Sequence, residues 1–379
     1  MRFNGFDDEW IEEKLGNLVQ IKSGECTKNL ITGIDNSIPY FKVEQLNNSL
    51  KYQIKTPYFI NDKSKIVNKG SIIFPKRGAA ILLNKIRILN QDSFMDTNLM
   101  TLTPNNKLYN EFLYYFIYKE NLSKIADTTS IPQLNNKHIK PYPIKLPSFE
   151  EQLKISKFIS SVDKKVALLS QNLEIFNDFK KGLLQQIFTQ KLRFDFSDEW
   201  NYVNFNNIFK SASTKKYQIK SAEIMANGDF EVIDQGKDEI AGYFNDKNKL
   251  CYELPIIIYG DHTTFVKFRD KPFIVGADGV KLLLLKIDSN LKYLFYALEY
   301  FNIKPEGYKR HFSIIKKIKL PIPSLEEQNE ISEMFSSVDN KLKYTQKQLQ
   351  ETKKFKKGLL QQMFVVQLIL SLLQNKKHI

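Results

Sequence analysis

The chain has 379 residues, of which 42% are hydrophobic and 26% charged, with a formal net charge of +14 at pH 7. This length and composition are ordinary for a globular protein of two or three domains and exclude a disordered chain. The two cysteines lack the spacing of a disulfide framework or a zinc site, and no apolar run is long enough to span a membrane. We therefore expect a cytoplasmic protein without a bound metal ion.

The excess of basic residues has two explanations. A chain this basic is typical of proteins that bind a polyanion such as a nucleic acid. A lysine-rich composition can also arise from codon bias in an AT-rich genome. The excess is spread over the whole chain, so a nucleic-acid site would have to be assembled by folding.

Residues 1–147 combine predicted strands with a predicted helix. The segments SIIFPKR, from Ser71, and MTLTP, from Met100, have the alternation of short strands, and EFLYYFIYKENL, from Glu111, has the pattern of an amphipathic helix. Turn dipeptides separate these elements. A mixed α/β domain follows from this combination.

Polar side chains that can bind DNA follow these elements. Lys76 and Arg77 come directly after a predicted strand and should lie on a turn, and the loop SIPQLNN, from Ser130, offers amide side chains. Arginine and lysine bond guanine edges or phosphates, whereas asparagine and glutamine bond adenine edges. For each residue, an ordinary solvated side chain is the alternative. The candidate DNA-binding residues of this domain are Lys76, Arg77, Arg87, Gln133 and Asn135.

A long helix is predicted over residues 148–192. Ser148 and Glu151 have the Ser-x-x-Glu spacing of a capping box, in which each side chain satisfies a free amide at a helix start. From Ile155 onward, apolar residues recur at alternating steps of four and three, which is the heptad seam of a coiled coil. A helix of roughly 40 residues would extend about 60 Å, which is too long for an ordinary globular domain.

Residues 193–323 are predicted to form a second mixed α/β domain. Strands are expected in LPIIIYG, from Leu254, and KPFIVG, from Lys271, and a helix in LKYLFYALEYF, from Leu291. This helix precedes the next long helix by about as much as the helix from Glu111 precedes the first long helix. Underneath unlike sequences, the two domains are therefore expected to share one fold.

The second domain holds the best candidate for catalysis, the segment GDHTT with Asp261 and His262. Neighbouring side chains on a strand or turn point apart, and neither a nucleophile nor a set of metal ligands accompanies these two. A turn with Asx-type hydrogen bonds is therefore the better interpretation, and we predict no catalytic residue. The candidate DNA-binding residues of this domain are His262, Lys267, Arg269, Lys309 and Arg310.

The long helix returns 176 residues later, over residues 324–366. The segment from Pro147 to Val166 aligns without a gap with the segment from Pro323 to Leu342, and FKKGLLQQ occurs identically from Phe179 and from Phe355. Similarity at a fixed period indicates a repeated architecture. We expect the two helices to pair as an antiparallel coiled coil with a pseudo-twofold axis.

The repeated octapeptide FKKGLLQQ places a lysine in the seam of each helix, near its far end. Two interpretations stay open: either these ends fray into solvent, or the octapeptide docks a partner at two equivalent sites. The candidate docking residues are Phe179, Lys180, Lys181, Leu183, Phe355, Lys356, Lys357 and Leu359.

These features together resemble a known family. Each variable domain ends in an aliphatic-Pro-Ser-x-Glu-Glu-Gln helix start, LPSFEEQ at Leu146 and IPSLEEQ at Ile322, and each is followed by SSVD and a long helix closing in KKGLLQQ. This arrangement resembles the specificity subunit of type I restriction–modification systems over nearly the whole chain. The stretches from Lys69 to Ile81 and from Gly260 to Leu283 also resemble that family's target recognition domains.

The resemblance implies a division of labour within a larger complex. Each target recognition domain would read one half of a bipartite, asymmetric sequence in double-stranded DNA, and the helices would act as a ruler between the half-sites. The helices would also dock two methyltransferase subunits, which bind S-adenosylmethionine, and restriction and translocase subunits would join outside. Catalysis and cofactor would belong to these partners, so the chain itself is expected to be no enzyme and to bind no cofactor.

The resemblance divides the chain into five parts. They are a target recognition domain (1–147), a spacer helix (148–192), a second target recognition domain (193–323), a second spacer helix (324–366) and an atypical apolar and basic tail (367–379). The tail departs from the family pattern, and the second domain lacks an obvious counterpart of SIPQLNN. A nuclease or methyltransferase acting alone, a purely structural coiled-coil scaffold and an unassembled decoy are the alternative functions.

Overall fold

The computed structural model describes residues 2–27, 30–32, 37–127, 131–276, 278–307 and 309–365. The predicted tail and Ser130 lie outside the described residues. The chain folds as two compact units, one formed by residues up to Leu168 together with those from Leu349 onward, and the other by Leu169–Gln348. Each unit therefore contains one mixed α/β domain and a section of both long helices.

The first unit contains ten strands among its described residues. They are β1 (Ile11–Lys14), β2 (Val19–Ser23), β3 (Ile38–Phe41), β4 (Tyr52–Gln53), β5 (Phe59–Ile60), β6 (Ile72–Pro75), β7 (Arg87–Leu89), β8 (Phe94–Met95), β9 (Leu99–Pro104) and β10 (Pro143–Leu146). A five-stranded sheet has the order β2-β9-β6-β7-β4, a three-stranded sheet has the order β5-β3-β8, and β1 pairs with β10. The helices are α1 (Leu15–Leu18), α2 (Asn110–Glu120), α3 (Asn136–Ile139) and the long α4 (Phe149–Phe188). Short 3-10 helices lie at Val43–Asn47, Lys63–Lys65, Ala79–Ile81 and Leu122–Ile125.

The second unit repeats this plan with a different division of its sheets. Its strands are β11 (Asn201–Asn204), β12 (Phe209–Ala212), β13 (Gln218–Ile219), β14 (Phe230–Ile233), β15 (Gly242–Phe244), β16 (Ile256–Gly260), β17 (Val266–Arg269), β18 (Ile274–Gly276), β19 (Val280–Leu285) and β20 (Lys319–Ile322). Two four-stranded sheets have the orders β12-β19-β16-β17 and β13-β18-β14-β15, and β11 pairs with β20. The helices are α5 (Phe205–Ile208), α6 (Leu291–Phe301), α7 (Phe312–Ile315) and the long α8 (Leu325–Val365), with 3-10 helices at Ser221–Glu223 and Lys247–Lys249.

One strand in each domain is buried on both faces, which explains its unbroken apolar sequence. In β6, Ile72 and Phe74 pack into the same core as helix α2, whereas Ile73 packs into a second core on the opposite face. In β16, Ile257 and Tyr259 pack with helix α6, and the alternate residues Ile256 and Ile258 face another core. These two strands are therefore held rigidly, and the turns that follow them are anchored at one end.

The long helices pair antiparallel within each unit, as predicted. In the first unit, Ile159 near the start of α4 shares a core with Met363 near the end of α8. In the second unit, Ile187 near the end of α4 shares a core with Ile331 near the start of α8. Each of these cores also contains the helix that the sequence predicted in its domain, α2 or α6, so the domain and the paired helices fold as one body in each unit.

The start of each long helix is held by the first residues of the domain that precedes it. Ser148 caps helix α4 by accepting the main-chain N–H of Glu151 at 3.3 Å, as predicted. The carboxylate of Glu151 does not complete the capping box, because it receives the Arg2 guanidinium at 2.9 Å on both oxygens and the Trp10 indole N–H at 3.2 Å. The second repeat has the same arrangement, with Glu327 bound by Arg193 and Trp200.

Candidate nucleic-acid interface

The first candidate surface, residues 76–78 with 131–135, joins two segments that lie far apart in the sequence. The turn after β6 is paired with the loop before α3, because Gly78 donates its main-chain N–H to Pro132 at 2.9 Å and Leu134 donates its own to Lys76 at 2.9 Å. Arg77 and Gln133 form an isolated β-bridge. Four of the predicted DNA-binding residues therefore lie together.

The side chains on the first candidate surface are cations and amides. Arg77 and Asn135 are exposed, and Lys76 and Gln133 are half-buried. Burial, and next to it the neighbouring Arg77 charge, lowers the pKa of Lys76. A side chain whose charge is disfavoured in the free protein gains from an anion placed beside it, so this surface is suited to a phosphate group.

The second candidate surface, residues 261–264, 306–307 and 309–311, is built in the same way. Asp261 directly follows the strand β16, and its carbonyl accepts the main-chain N–H of His311 at 2.7 Å. The short helix α7 follows at Phe312, as α3 follows at Asn136, and these two positions are again 176 residues apart. The segment 306–311 is therefore the counterpart of SIPQLNN that the sequence pattern did not reveal; Tyr308 lies outside the described part.

The second candidate surface brings together three predicted residues. The His262 ring nitrogen Nδ1 lies 3.1 Å from the main-chain oxygen of Lys309, and Arg310 is the next residue. The side chains of Lys309 and Arg310 are exposed, and Lys309 donates to an exposed partner, Glu306, at 3.3 Å. An ion pair this exposed contributes little and is readily exchanged for another anion.

Arg87 does not belong to the first candidate surface, which corrects the prediction. Its guanidinium donates from Nη1 to the carbonyl of Ile86 and from Nη2 to that of Leu46, both at 2.7 Å. Burial lowers the pKa of Arg87. These hydrogen bonds tie β7 to the 3-10 helix at Val43–Asn47, so the Arg87 side chain is not free to reach a base.

Lys267 and Arg269 are likewise engaged inside the second domain, which corrects two further predictions. They are 5% and 8% exposed. Lys267 donates to the carbonyls of Asp234 and Asp238 at 2.9 and 2.6 Å, and burial lowers its pKa. Arg269 is paired with Glu231 and Glu239. Both side chains fasten β17 to β14 or to the segment that follows it, and neither is available to DNA.

Asp261 and His262 form a turn, as the sequence interpretation favoured, although the Asx-type bond is absent from the described contacts. The Asp261 carboxylate instead accepts the main-chain N–H of Phe312 at 2.9 Å, fifty-one residues away. The His262 ring faces a different carbonyl, so the two neighbours point apart. Among the described residues, no group of three or more His, Cys, Asp or Glu could hold a metal ion.

Three further residues support the candidate surfaces. Gln235 accepts the main-chain N–H of His262 at 3.0 Å and donates to the carbonyl of Asp278 at 3.1 Å, so it holds two loops at once. Asp127 pairs with Gln133 through both main-chain groups at 2.9 Å. His311 is fully buried beneath the second candidate surface. Adding the 176-residue offset to position 135 gives position 311, so the repeat itself identifies His311 as the counterpart of Asn135. No pattern in the neighbouring sequence identifies Gln235.

The first lysine of each octapeptide, Lys180 or Lys356, is engaged in ion pairs inside its unit, so these positions do not fray into solvent and these two lysines are not free to dock a partner. Lys356 of α8 lies 2.5 Å from Asp163 of α4. Lys180 of α4 lies 2.9 Å from Asp339 of α8 and 2.8 Å from Glu299 of α6. Burial lowers the pKa of Lys180, but the two carboxylates outweigh this and raise it.

The other predicted docking residues divide into exposed and buried sets. Phe179 and Phe355 are 56% and 53% exposed, which is unusual for phenylalanine. Lys181 and Lys357 are also exposed, whereas Leu183 is half-buried. Leu359 is 2% exposed and belongs to the core of the first unit. Each octapeptide therefore offers one exposed Phe and one exposed Lys at equivalent positions.

The described helices include none that is both long and apolar enough to cross a membrane.

Comparison with known proteins gives one consistent result. The profile of the family described as type I restriction modification DNA specificity domain matches residues 7–175 and 197–354. The chain is 24% identical to the type I restriction enzyme MjaVIII specificity subunit of Methanocaldococcus jannaschii, over 93% of this chain and 91% of that protein.

Two solved structures are similar in fold, which confirms the predicted fold class. The crystal structure of the type I restriction–modification system S subunit from M. genitalium has a TM-score of 0.65 at 18% identity, covering 96% of this chain and 97% of that chain. A second structure, which concerns complex assembly and conformational transition of the type I R-M system, has a TM-score of 0.54 at 14% identity. The match covers 95% of this chain and 98% of that chain.

Proposed function

The chain belongs to the type I restriction modification DNA specificity domain family, and from this premise we propose that it reads a bipartite, asymmetric target in double-stranded DNA, one half with each domain. As a member of the specificity family it is a non-catalytic component of a restriction–modification system. The reading of two half-sites, and the partners that act on the DNA, are the parts that we propose.

The observation that carries this proposal is the repeated construction of the two candidate surfaces. In each domain a rigid, doubly buried strand, β6 or β16, ends in a turn that is hydrogen-bonded to the loop before a short helix. The supporting elements are alike, but the side chains that they present differ. Two surfaces of one construction with unlike side chains are what the recognition of two unlike half-sites requires.

The side chains of the two candidate surfaces match the chemistry of base edges and phosphates. Arg77 and Arg310 can each make a bidentate contact with guanine, and Gln133 and Asn135 can do so with adenine. Lys76 and Lys309 suit phosphates, which position the protein without specifying sequence. We therefore expect the first domain to read a half-site that contains adenine and guanine, and the second domain to read one in which guanine is essential.

We also propose that the exposed octapeptide side chains dock two methyltransferase subunits. Phe179 with Lys181, and Phe355 with Lys357, are equivalent positions on the two long helices and would bind two copies of one partner alike. Exposed apolar side chains flanked by charge are typical of protein interfaces. S-adenosylmethionine would be bound by these subunits, and restriction and translocase subunits would join the assembly where the DNA is, in the cytoplasm.

Sequencing of DNA methylation in a host that expresses the chain with its methyltransferase tests the proposal. A bipartite motif should appear only when the chain is present. Arg77→Ala should relax one half of the motif and Arg310→Ala the other, by roughly tenfold or more at the affected base. Lys63→Ala, at an exposed lysine of the first domain, is the matched control and should leave the motif unchanged. An undivided motif, or one that both arginine variants alter in the same half, would contradict the assignment.

A further inference from the structure

We propose that His311 is the positioning residue of the second candidate surface: it fixes the backbone of Lys309 and Arg310 and so determines how strictly the second half-site is read. The inference rests on the proposed DNA-reading function. It concerns a side chain that is 0% exposed and therefore cannot touch DNA itself.

The ring of His311 joins two points of the backbone. Its Nε2 accepts the main-chain N–H of Glu306 at 3.0 Å. Its Nδ1 lies 3.2 Å from the carbonyl oxygen of Asp261, the same oxygen that accepts the main-chain N–H of His311 at 2.7 Å. The ring thus closes the segment from Glu306 to His311 and ties it to the end of strand β16.

The partners of the two nitrogens determine the proton position. An amide N–H can only donate, so Nε2 must carry its lone pair, and a carbonyl can only accept, so the proton is on Nδ1. A neutral imidazole with this tautomer satisfies both contacts at once. Few uncharged side chains can donate to the Asp261 carbonyl and accept the Glu306 N–H at the same time. We therefore expect most substitutions of His311 to lose at least one of these two contacts.

Lys309 and Arg310 lie between the points that His311 holds. On the outer side, the carbonyl of Lys309 lies 3.1 Å from the Nδ1 atom of His262. On the inner side, the Asp261 carboxylate accepts the Phe312 N–H at 2.9 Å and its other oxygen lies 3.7 Å from the Lys281 ammonium. The backbone is therefore fixed on both sides while the side chains face outward. A recognition group held in place before binding loses less conformational freedom when it binds.

The first domain has no histidine at the position equivalent to His311. The residue at the position of His311 is Asn135, which is exposed. There the main-chain N–H of Asn135 donates to Nδ1 of His138, one turn further along, at 3.2 Å. A change at His311 should therefore affect one half-site only, and the other half-site reports on folding and on assembly with the methyltransferase in the same molecule.

Two substitutions separate the contacts of His311. In His311→Gln, the side-chain oxygen reaches the position of Nε2 and can still accept the Glu306 N–H. In His311→Asn, the shorter side chain reaches only the position of Nδ1, and the tie to Glu306 is lost. We expect His311→Asn to relax base discrimination in the second half-site roughly tenfold, as when one positioned contact is lost, and His311→Gln to retain most of it.

The experiment is methylation sequencing of hosts that express each full-length variant with its methyltransferase, beside Arg310→Ala. The second half-site is identified first by exchanging residues 1–147, which should change only the other half. A relaxed second half with an intact first half in His311→Asn, largely restored in His311→Gln, supports the proposal. Loss of both halves with a lower unfolding temperature assigns His311 to folding alone and overturns it.

The remaining outcomes distinguish the inference from its premise. An unchanged motif in His311→Asn, with a relaxed second half in Arg310→Ala, overturns the role of His311 and leaves the proposed function standing. An unchanged motif in both variants removes the second candidate surface from the interface and overturns the two together. Equal relaxation in the Asn and Gln variants refutes the specific role of the Glu306 contact.

Discussion

Removing the charge of Lys356 should destabilise the protein more than removing an exposed lysine beside it, and part of that loss should disappear when Asp163 is neutralised as well. Lys356 lies 2.5 Å from one oxygen of Asp163, and the Tyr115 hydroxyl donates to the other oxygen at 2.8 Å. The contact joins both long helices to helix α2 within the first unit. Its side chains are 18% and 21% exposed, so water screens the pair only in part.

The size of the effect follows from this partial burial. Exposed ion pairs contribute roughly 0.2–1 kcal/mol, whereas removing one partner of a fully buried pair costs about 3–5 kcal/mol. Lys356 also lies 4.8 Å from the centre of the Tyr118 ring, a contact of about 0.5–1 kcal/mol. We therefore expect Lys356→Gln to cost about 2 kcal/mol. Asp163→Asn should cost about 1–2 kcal/mol, because the amide oxygen still accepts from Tyr115.

A double-mutant cycle measures the interaction itself. The free energy of unfolding is compared for the full-length protein, Lys356→Gln, Asp163→Asn and the double variant, and the coupling should be about 1 kcal/mol. Lys357→Gln is the matched control, because Lys357 is the next residue and its side chain is exposed. It should change the free energy of unfolding by less than about 0.5 kcal/mol. A coupling indistinguishable from zero, or a control variant as damaging as Lys356→Gln, would refute this account of the octapeptide.

Three further outcomes follow from the structure. Glu151→Gln should lower the free energy of unfolding by about 2–3 kcal/mol, because it weakens the charge-assisted bonds from Arg2 and leaves the Trp10 N–H poorly paired. Denaturant titration measures this loss, and a loss below about 0.5 kcal/mol would contradict the expectation. Deleting one heptad from each long helix should shorten the unread spacer of the methylated motif or abolish methylation, and an unchanged spacer would refute the ruler. Arg87→Lys should lower the thermal midpoint while leaving the motif intact, and a changed base in the motif would return Arg87 to the interface.

The long helices could be predicted closely because their signals are local and repeated. Capping residues mark where α4 and α8 begin, and heptad spacing indicates how far they continue. Together these two signals predicted helices of roughly 40 residues, and the structure has helices of 40 and 41 residues. The capping box was half right for a physical reason. The Glu side chain can reach either its own helix start or a distant guanidinium, and the charged partner Arg2 forms the stronger bonds. That partner lies 149 residues away, beyond any local pattern.

The errors at the candidate interface share one cause, which is that the sequence shows charge but not its partners. Lys267 and Arg269 alternate along β17 and so point to one face, but what covers that face is the acidic segment with Asp234, Glu231 and Glu239. Arg77 and Gln133 were chosen from their chemistry, and the bridge between them depends on the pairing of a turn with a loop more than fifty residues later. Only the fold brings these groups together.

The repeated octapeptide has a physical reason that neither helix shows alone. In an antiparallel pair, a residue near the end of one helix meets a residue near the start of the other. The first lysine of FKKGLLQQ therefore contacts the aspartate of SSVD on the other helix: Lys356 contacts Asp163, and Lys180 contacts Asp339. Two like helices that carry both motifs are complementary to each other, and one Asp–Lys match produces two contacts, as at a self-complementary interface. Each aspartate also accepts a hydrogen bond from a tyrosine of its domain, Tyr115 or Tyr296, so the repeated residues tie both long helices to each domain.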